Sequence, residues 1–177
     1  MIRPLLTALS LTLAVAAACG PAAAADKDEA FFQTVFGRWT GPGEIVAGKY
    51  KGTKFVCDLS GEKPSTDVGM ALDGTCRVGM FSQPMSAKFT KGGSSYKGAF
   101  LDGSKGKGLD IISGDVDGNR VVVGLDRKQL KGAMVARLVD PDKLNITISV
   151  QVADELVPVI GMNLKRDASV KRASLAD

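Results

Sequence analysis

The amino-acid sequence predicts an all-β protein: a single antiparallel meander of about 8–10 strands that closes into a barrel, behind a short N-terminal helix. Three observations carry this. The segment LNITISVQV, 144–152, alternates apolar and polar residues with a period of two, which marks a strand with one buried and one wet face. Similar stretches recur about every 8–12 residues, cut by explicit turn sequences. The connections are too short for crossover helices, so chain neighbours should pair antiparallel.

Residues 1–25 stand apart from this pattern. Arg3 precedes an apolar run from Leu5 to Ala18, and Ala23-Ala24-Ala25 supplies the small residues that signal peptidase reads. They read as a secretory signal peptide, which puts the mature start at Asp26 and the protein in the periplasm. A rival cut lies before Cys19, after Ala16-Ala17-Ala18, as in an acylated lipoprotein. Such a cut favours a large aliphatic residue three before the cysteine, and Ala16 is not one, so lipoprotein anchoring at Cys19 is the less favoured reading. The rest divides into one domain, 26–166, and a polar tail, 167–177, expected to be disordered.

Asp26 to Phe36 reads as the helix. Phe31, Phe32, Val35 and Phe36 fall at helical spacing, and Asp26, Asp28 and Glu29 sit where a helix start favours negative charge. Gly37 is the stop. Strands follow near 38–47, 49–59, 68–79, 84–91, 94–101, 108–115, 119–126, 132–139, 144–152 and 156–165. The segments Lys91-Gly92-Gly93, Asp102 to Gly108, Asp117-Gly118-Asn119 and Asp140-Pro141-Asp142-Lys143 are the turns. Pro158 marks an edge or a bulge in the last strand. Many of the 21 glycines fall inside strand patterns, where they mark bends. A long sheet that curls on itself closes and loses its edges.

Of three cysteines, Cys19 falls in the leader. Cys57 and Cys76 remain, and an even pair in an oxidising compartment is expected to bridge, joining neighbouring strands. Their spacing is not that of a redox C-x-x-C motif.

The helix, followed by Gly37-Arg38-Trp39 opening the first strand and extended by Thr40-Gly41-Pro42-Gly43, resembles the calycin superfamily of lipocalins, fatty-acid-binding proteins and nitrobindin-like barrels. The resemblance covers residues 36–45 together with strand count and order. It implies a helix that plugs one end, a buried Trp39 on that floor, and a basic side chain from the last strand across the ring. Lys165 and Arg166 stand at the matching place. Parity favours Arg166, which shares a face with Ile160, Met162 and Leu164. A core tryptophan in another β-fold is the alternative.

Catalytic patterns are sparse. The chain has no histidine, which removes the commonest general base, the Ser-His-Asp arrangement, the usual zinc ligand and the usual haem ligand. Tyr50 and Tyr96 could ligate haem in principle, but a strand tyrosine more often packs. The Asp115-Val116-Asp117-Gly118-Asn119 run begins like a calcium loop, yet Asp126 stands where the closing glutamate belongs; a hairpin turn is the better reading. Gly103 to Gly108 lacks the spacing and helix of a phosphate loop. Glu44, Glu62 and Glu155 are scattered. No cofactor, metal or enzymatic activity is expected.

The expectation is a periplasmic barrel that binds an apolar or amphipathic, lipid-like small molecule. Its candidate lining is Phe55, Phe89, Tyr96, Phe100, Ile111, Val123, Met134, Ile148 and Met162. The alternatives are a protein-interaction module, such as a periplasmic hydrolase inhibitor, and a structural envelope protein with a filled core. Without Arg3 the chain holds 22 basic and 19 acidic residues, a net +3. That leaves room for a loose contact with an anionic membrane surface. No basic block with interleaved aromatics suits nucleic acid.

Overall fold

A computed structural model describes residues 22–65, 67–101 and 108–167 of the chain, with side chains from Lys27 onward. Cys19, most of the leader, most of the Asp102–Gly108 turn and the tail beyond Asp167 lie outside the described residues. One helix, α1 (Ala22–Val35), precedes ten strands: β1 (Gly37–Ile45), β2 (Lys54–Glu62), β3 (Gly69–Val78), β4 (Phe81–Gly92), β5 (Ser95–Leu101), β6 (Leu109–Asp117), β7 (Arg120–Arg127), β8 (Leu130–Asp140), β9 (Lys143–Val152) and β10 (Glu155–Arg166). Each strand pairs antiparallel with the next, and β10 returns to β1, closing the barrel.

The alternation read in the sequence sets the wall. Leu144, Ile146 and Ile148 of β9 join the core, while Asn145 and Gln151 are exposed. An apolar interior and a polar exterior are the reverse of a membrane-spanning barrel. Cys57 on β2 and Cys76 on β3 are register partners, and they form the predicted disulfide with Cα atoms 4.0 Å apart. The bond faces inward, and Met162 Sδ lies 3.8 Å from Cys57 Sγ.

Several boundaries differ from the sequence expectation. The helix begins at Ala22, so Asp28 and Glu29 lie in its second turn rather than its first. Asp28 is instead turned toward β4 and β5, where its partners are Lys91 and Tyr96. Residues 49–53 are not the start of β2. They belong to a turn, closed by bonds from Lys51 N to Gly48 O and from Gly52 N to Ile45 O. Tyr50 is therefore 64% exposed on that turn and does not pack in a strand. Pro158 has no sheet edge to occupy in a closed barrel, and it sits at a bulge where the β9–β10 register shifts.

Gly37 and Gly43 explain the small residues around Trp39. Gly37 turns the chain out of α1 with φ at +108°, a conformation that an L side chain resists. A Cβ on Gly43 would stand 2.3 Å from the Phe55 ring, so the phenyl group occupies the space that a side chain would need.

Candidate functional site

The two ends of the barrel are built differently. At the floor, Phe31, Phe32 and Val35 of α1 enter the wall and are buried. Phe32, Phe89 and Tyr96 form a mutual cluster of edge-on rings with centroids 5.6–5.8 Å apart. The Tyr96 hydroxyl donates to Asp28 at 2.7 Å, and Lys91 pairs with the same carboxylate. Burial, reinforced by that carboxylate, pushes the Tyr96 phenol well above its ordinary range.

Trp39 is 1% exposed. Its indole N–H donates to Val35 O at 2.9 Å, and the Arg166 guanidinium lies 4.2 Å from the ring centroid. Arg166 also donates to Phe36 O at 2.7 Å, Thr34 O at 2.5 Å and Pro141 O at 3.0 Å. A helix end leaves carbonyls without partners, and here Trp39 and Arg166 satisfy those of Thr34, Val35 and Phe36. Beneath the helix lies a small apolar void of about 60 Å³, between residues such as Phe32, Met70 and Leu144.

The opposite end, the mouth, is hollow. A cavity of about 240 Å³ opens among Met85, Phe100, Leu109, Leu125, Met134 and Ile148. Ile160 and Val150 add to its apolar wall, and Arg127 is the one charged residue on it among the described residues. Arg127 has no ion-pair partner among the described residues. A dry cavity of about 150 Å³ accommodates a benzene-sized guest, so this one has room for about ten heavy atoms. A second hollow, about 570 Å³, lies outside the wall between α1 and the β6–β7 hairpin, with Lys27, Thr34, Asp117 and Asn119 on its surface. The mouth cavity has the shape and apolar lining of a ligand site, and the outer hollow is polar on one flank.

Of the candidate lining residues, Phe100, Met134 and Ile148 border the mouth cavity. Phe89 and Tyr96 sit in the floor cluster instead, and Phe89 borders the small void. Ile111, Val123 and Met162 are buried in the wall, and Phe55 is half-buried over Gly43. Met85, Leu109, Leu125, Ile160 and Arg127 were not anticipated. Leu109 and Leu125 share faces with Ile111 and Val123, so the alternation held a signal for both.

The fold and site define a closed ten-stranded antiparallel barrel with a helix-plugged floor and an apolar hollow at its mouth, an architecture compatible with a calycin-like barrel. No known family model matches the chain, and no curated protein is similar enough to count as a relative.

Proposed function

We propose that the protein binds a small amphipathic molecule in the mouth cavity, with the apolar part inside and an anionic group at Arg127. The hollow of about 240 Å³ carries this reading, because apolar side chains surround it on most sides. Its size favours a short acyl chain, or the end of a longer one, over a whole long-chain lipid. The half-buried Arg127 gives the guest a polarity. The reading is binding without catalysis, in the periplasm, where the Cys57–Cys76 bond would persist.

Octanoate, a ten-heavy-atom anion, is the probe, measured by calorimetry beside 1-octanol. Both should bind. Ile148→Trp, which fills the cavity, should abolish both signals while the circular dichroism spectrum and melting temperature stay near wild type. Arg127→Gln should weaken octanoate and leave octanol unchanged. No binding of either probe to the wild-type protein would sink the proposal.

A further inference from the structure

The geometry points to the mouth rim as a docking surface for an anionic lipid bilayer, with the β3–β4 hairpin as its apolar wedge. This rests on the mouth cavity being the ligand site, and it gives that site a source of guests that need not cross water.

The turn Val78-Gly79-Met80-Phe81 joins β3 to β4 at the mouth. Met80 is 98% exposed and Phe81 81%. Large apolar side chains this exposed are costly in water, and on a soluble protein they mark a contact surface. The other described mouth turns repeat the pattern. Tyr50 stands out from the β1–β2 turn, Leu130 follows the β7–β8 turn, and Val152 and Leu156 flank the β9–β10 turn. Among the described residues, Val139 is the one exposed large apolar residue beside a floor turn. The apolar exposure is therefore gathered on one end of the barrel, around the opening of the cavity.

Charge is divided the same way. Every ion pair found among the described residues lies in the floor half, from Lys91–Asp28 to Lys143–Asp140. Lys49, Lys51, Lys128 and Lys131 on the mouth turns have no carboxylate partner among the described residues. Lys49 and Lys51 flank Tyr50, Lys128 and Lys131 stand on either side of Leu130, and Lys49 Nζ lies 5.5 Å from the Tyr50 ring centroid. Aromatic or aliphatic tips bracketed by free basic residues suit the interface of a bilayer, where the ring enters the headgroup layer and each ammonium meets a phosphate. Asp154 and Glu155 oppose this on the β9–β10 turn, which tilts the favoured approach toward β1–β4 and the β7–β8 turn. A protein partner could also use the tip, but unpaired lysines on two separate turns, β1–β2 and β7–β8, match a fluid anionic surface better than one fixed patch.

The test is flotation of the protein, as its own cell processes it, with vesicles of phosphatidylglycerol and phosphatidylcholine, against phosphatidylcholine alone. Wild type should float with the anionic vesicles, lose most of that binding in half-molar salt, and bind the neutral vesicles at least tenfold less. Met80→Ser/Phe81→Ser should reduce binding at least tenfold while octanoate binding is retained. Lys128→Gln/Lys131→Gln should reduce only the preference for anionic lipid. Flotation of Met80→Ser/Phe81→Ser equal to wild type would overturn the proposal, because an acyl anchor or another face would then hold the protein. Absence of flotation with octanoate binding intact would also overturn it, leave the cavity reading standing, and assign the tip to a protein contact. Flotation that needs Met80 and Phe81, without octanoate binding, would uphold the docking surface and end the cavity reading.

Discussion

Arg166 lies across the face of Trp39, its guanidinium carbon 4.2 Å from the ring centroid, and the two residues are direct partners across the β1–β10 pairing. Between them they satisfy the last carbonyls of α1. Ring burial, a cation on the ring and a helix cap thus meet at one place.

Trp39→Ala should cost about 3–5 kcal/mol, as large aromatic truncations in cores do. Arg166→Ala removes the stacked cation and three bonds from a charged donor, and should cost about 2–3 kcal/mol. Arg166→Lys should recover only part of this, because an ammonium cannot bridge the same carbonyls while lying flat on the ring. Urea unfolding followed by Trp39 emission measures the arginine variants, and circular dichroism measures Trp39→Ala. Native Trp39 emission should be blue-shifted and move red on unfolding. A red native emission would show the ring to be wet and the floor open.

The Cys57–Cys76 bond closes a short loop across paired strands. Replacing both cysteines by alanine should lower stability by about 3 kcal/mol on the chain-entropy account. Thiol titration of the unfolded, unreduced protein should find no free Cys57 or Cys76. Two free thiols would remove the bond and the compartment inferred from it.

Tyr96 makes stability fall in alkali. Its folded pKa is raised by burial and by Asp28, whereas an unfolded tyrosine ionises near 10. Its contribution is therefore complete below about pH 10, then lost as pH rises, because only the unfolded chain can release the proton. The loss should approach about 1.4 kcal/mol per pH unit above 10. Tyr96→Phe should flatten that slope, read from urea midpoints at pH 8 to 11. Equal slopes in the two proteins would mean that Tyr96 ionises freely in the fold.

Gly43→Ala should cost about 1–3 kcal/mol, because its Cβ would meet the Phe55 ring. Phe55→Ala in the same chain should recover part of that loss, so the two substitutions should be coupled in a double-mutant cycle. Additive costs would place the phenyl group elsewhere.

Strand order was legible because β9 and its neighbours alternate cleanly, and because Asp117-Gly118-Asn119 and Asp140-Pro141-Asp142 are turn chemistry in plain form. The Trp39–Arg166 pair could be placed because parity within one strand is a local property. The mouth cavity could not be outlined in the same way. Alternation tells whether Leu109 or Met85 faces inward, but not how far along the barrel axis each one sits. That height depends on register between strands, and the register shifts between Ile111 and Ser113, Leu138 and Asp140, and Pro158 and Ile160. Phe89 and Phe100 accordingly read alike in sequence, yet one packs at the floor and the other reaches the hollow. The role of Asp28 was hidden for a related reason. Its partners Lys91 and Tyr96 come from a distant hairpin, so nothing near Asp28 in the chain announces them.

Nine of the ten strand pairings join neighbours in the chain, and only β1 with β10 brings distant segments together. Hairpins close short loops and can form early, whereas that one pairing must enclose nearly the whole chain before its contacts repay the lost entropy. The seam is thus expected to be the slow step in folding. Trp39 stands on the seam, as the one tryptophan in the protein. The fluorescence of this chain during folding should therefore report the moment of closure, and an amplitude that rises well before β-structure is complete would place the nucleus at the seam instead.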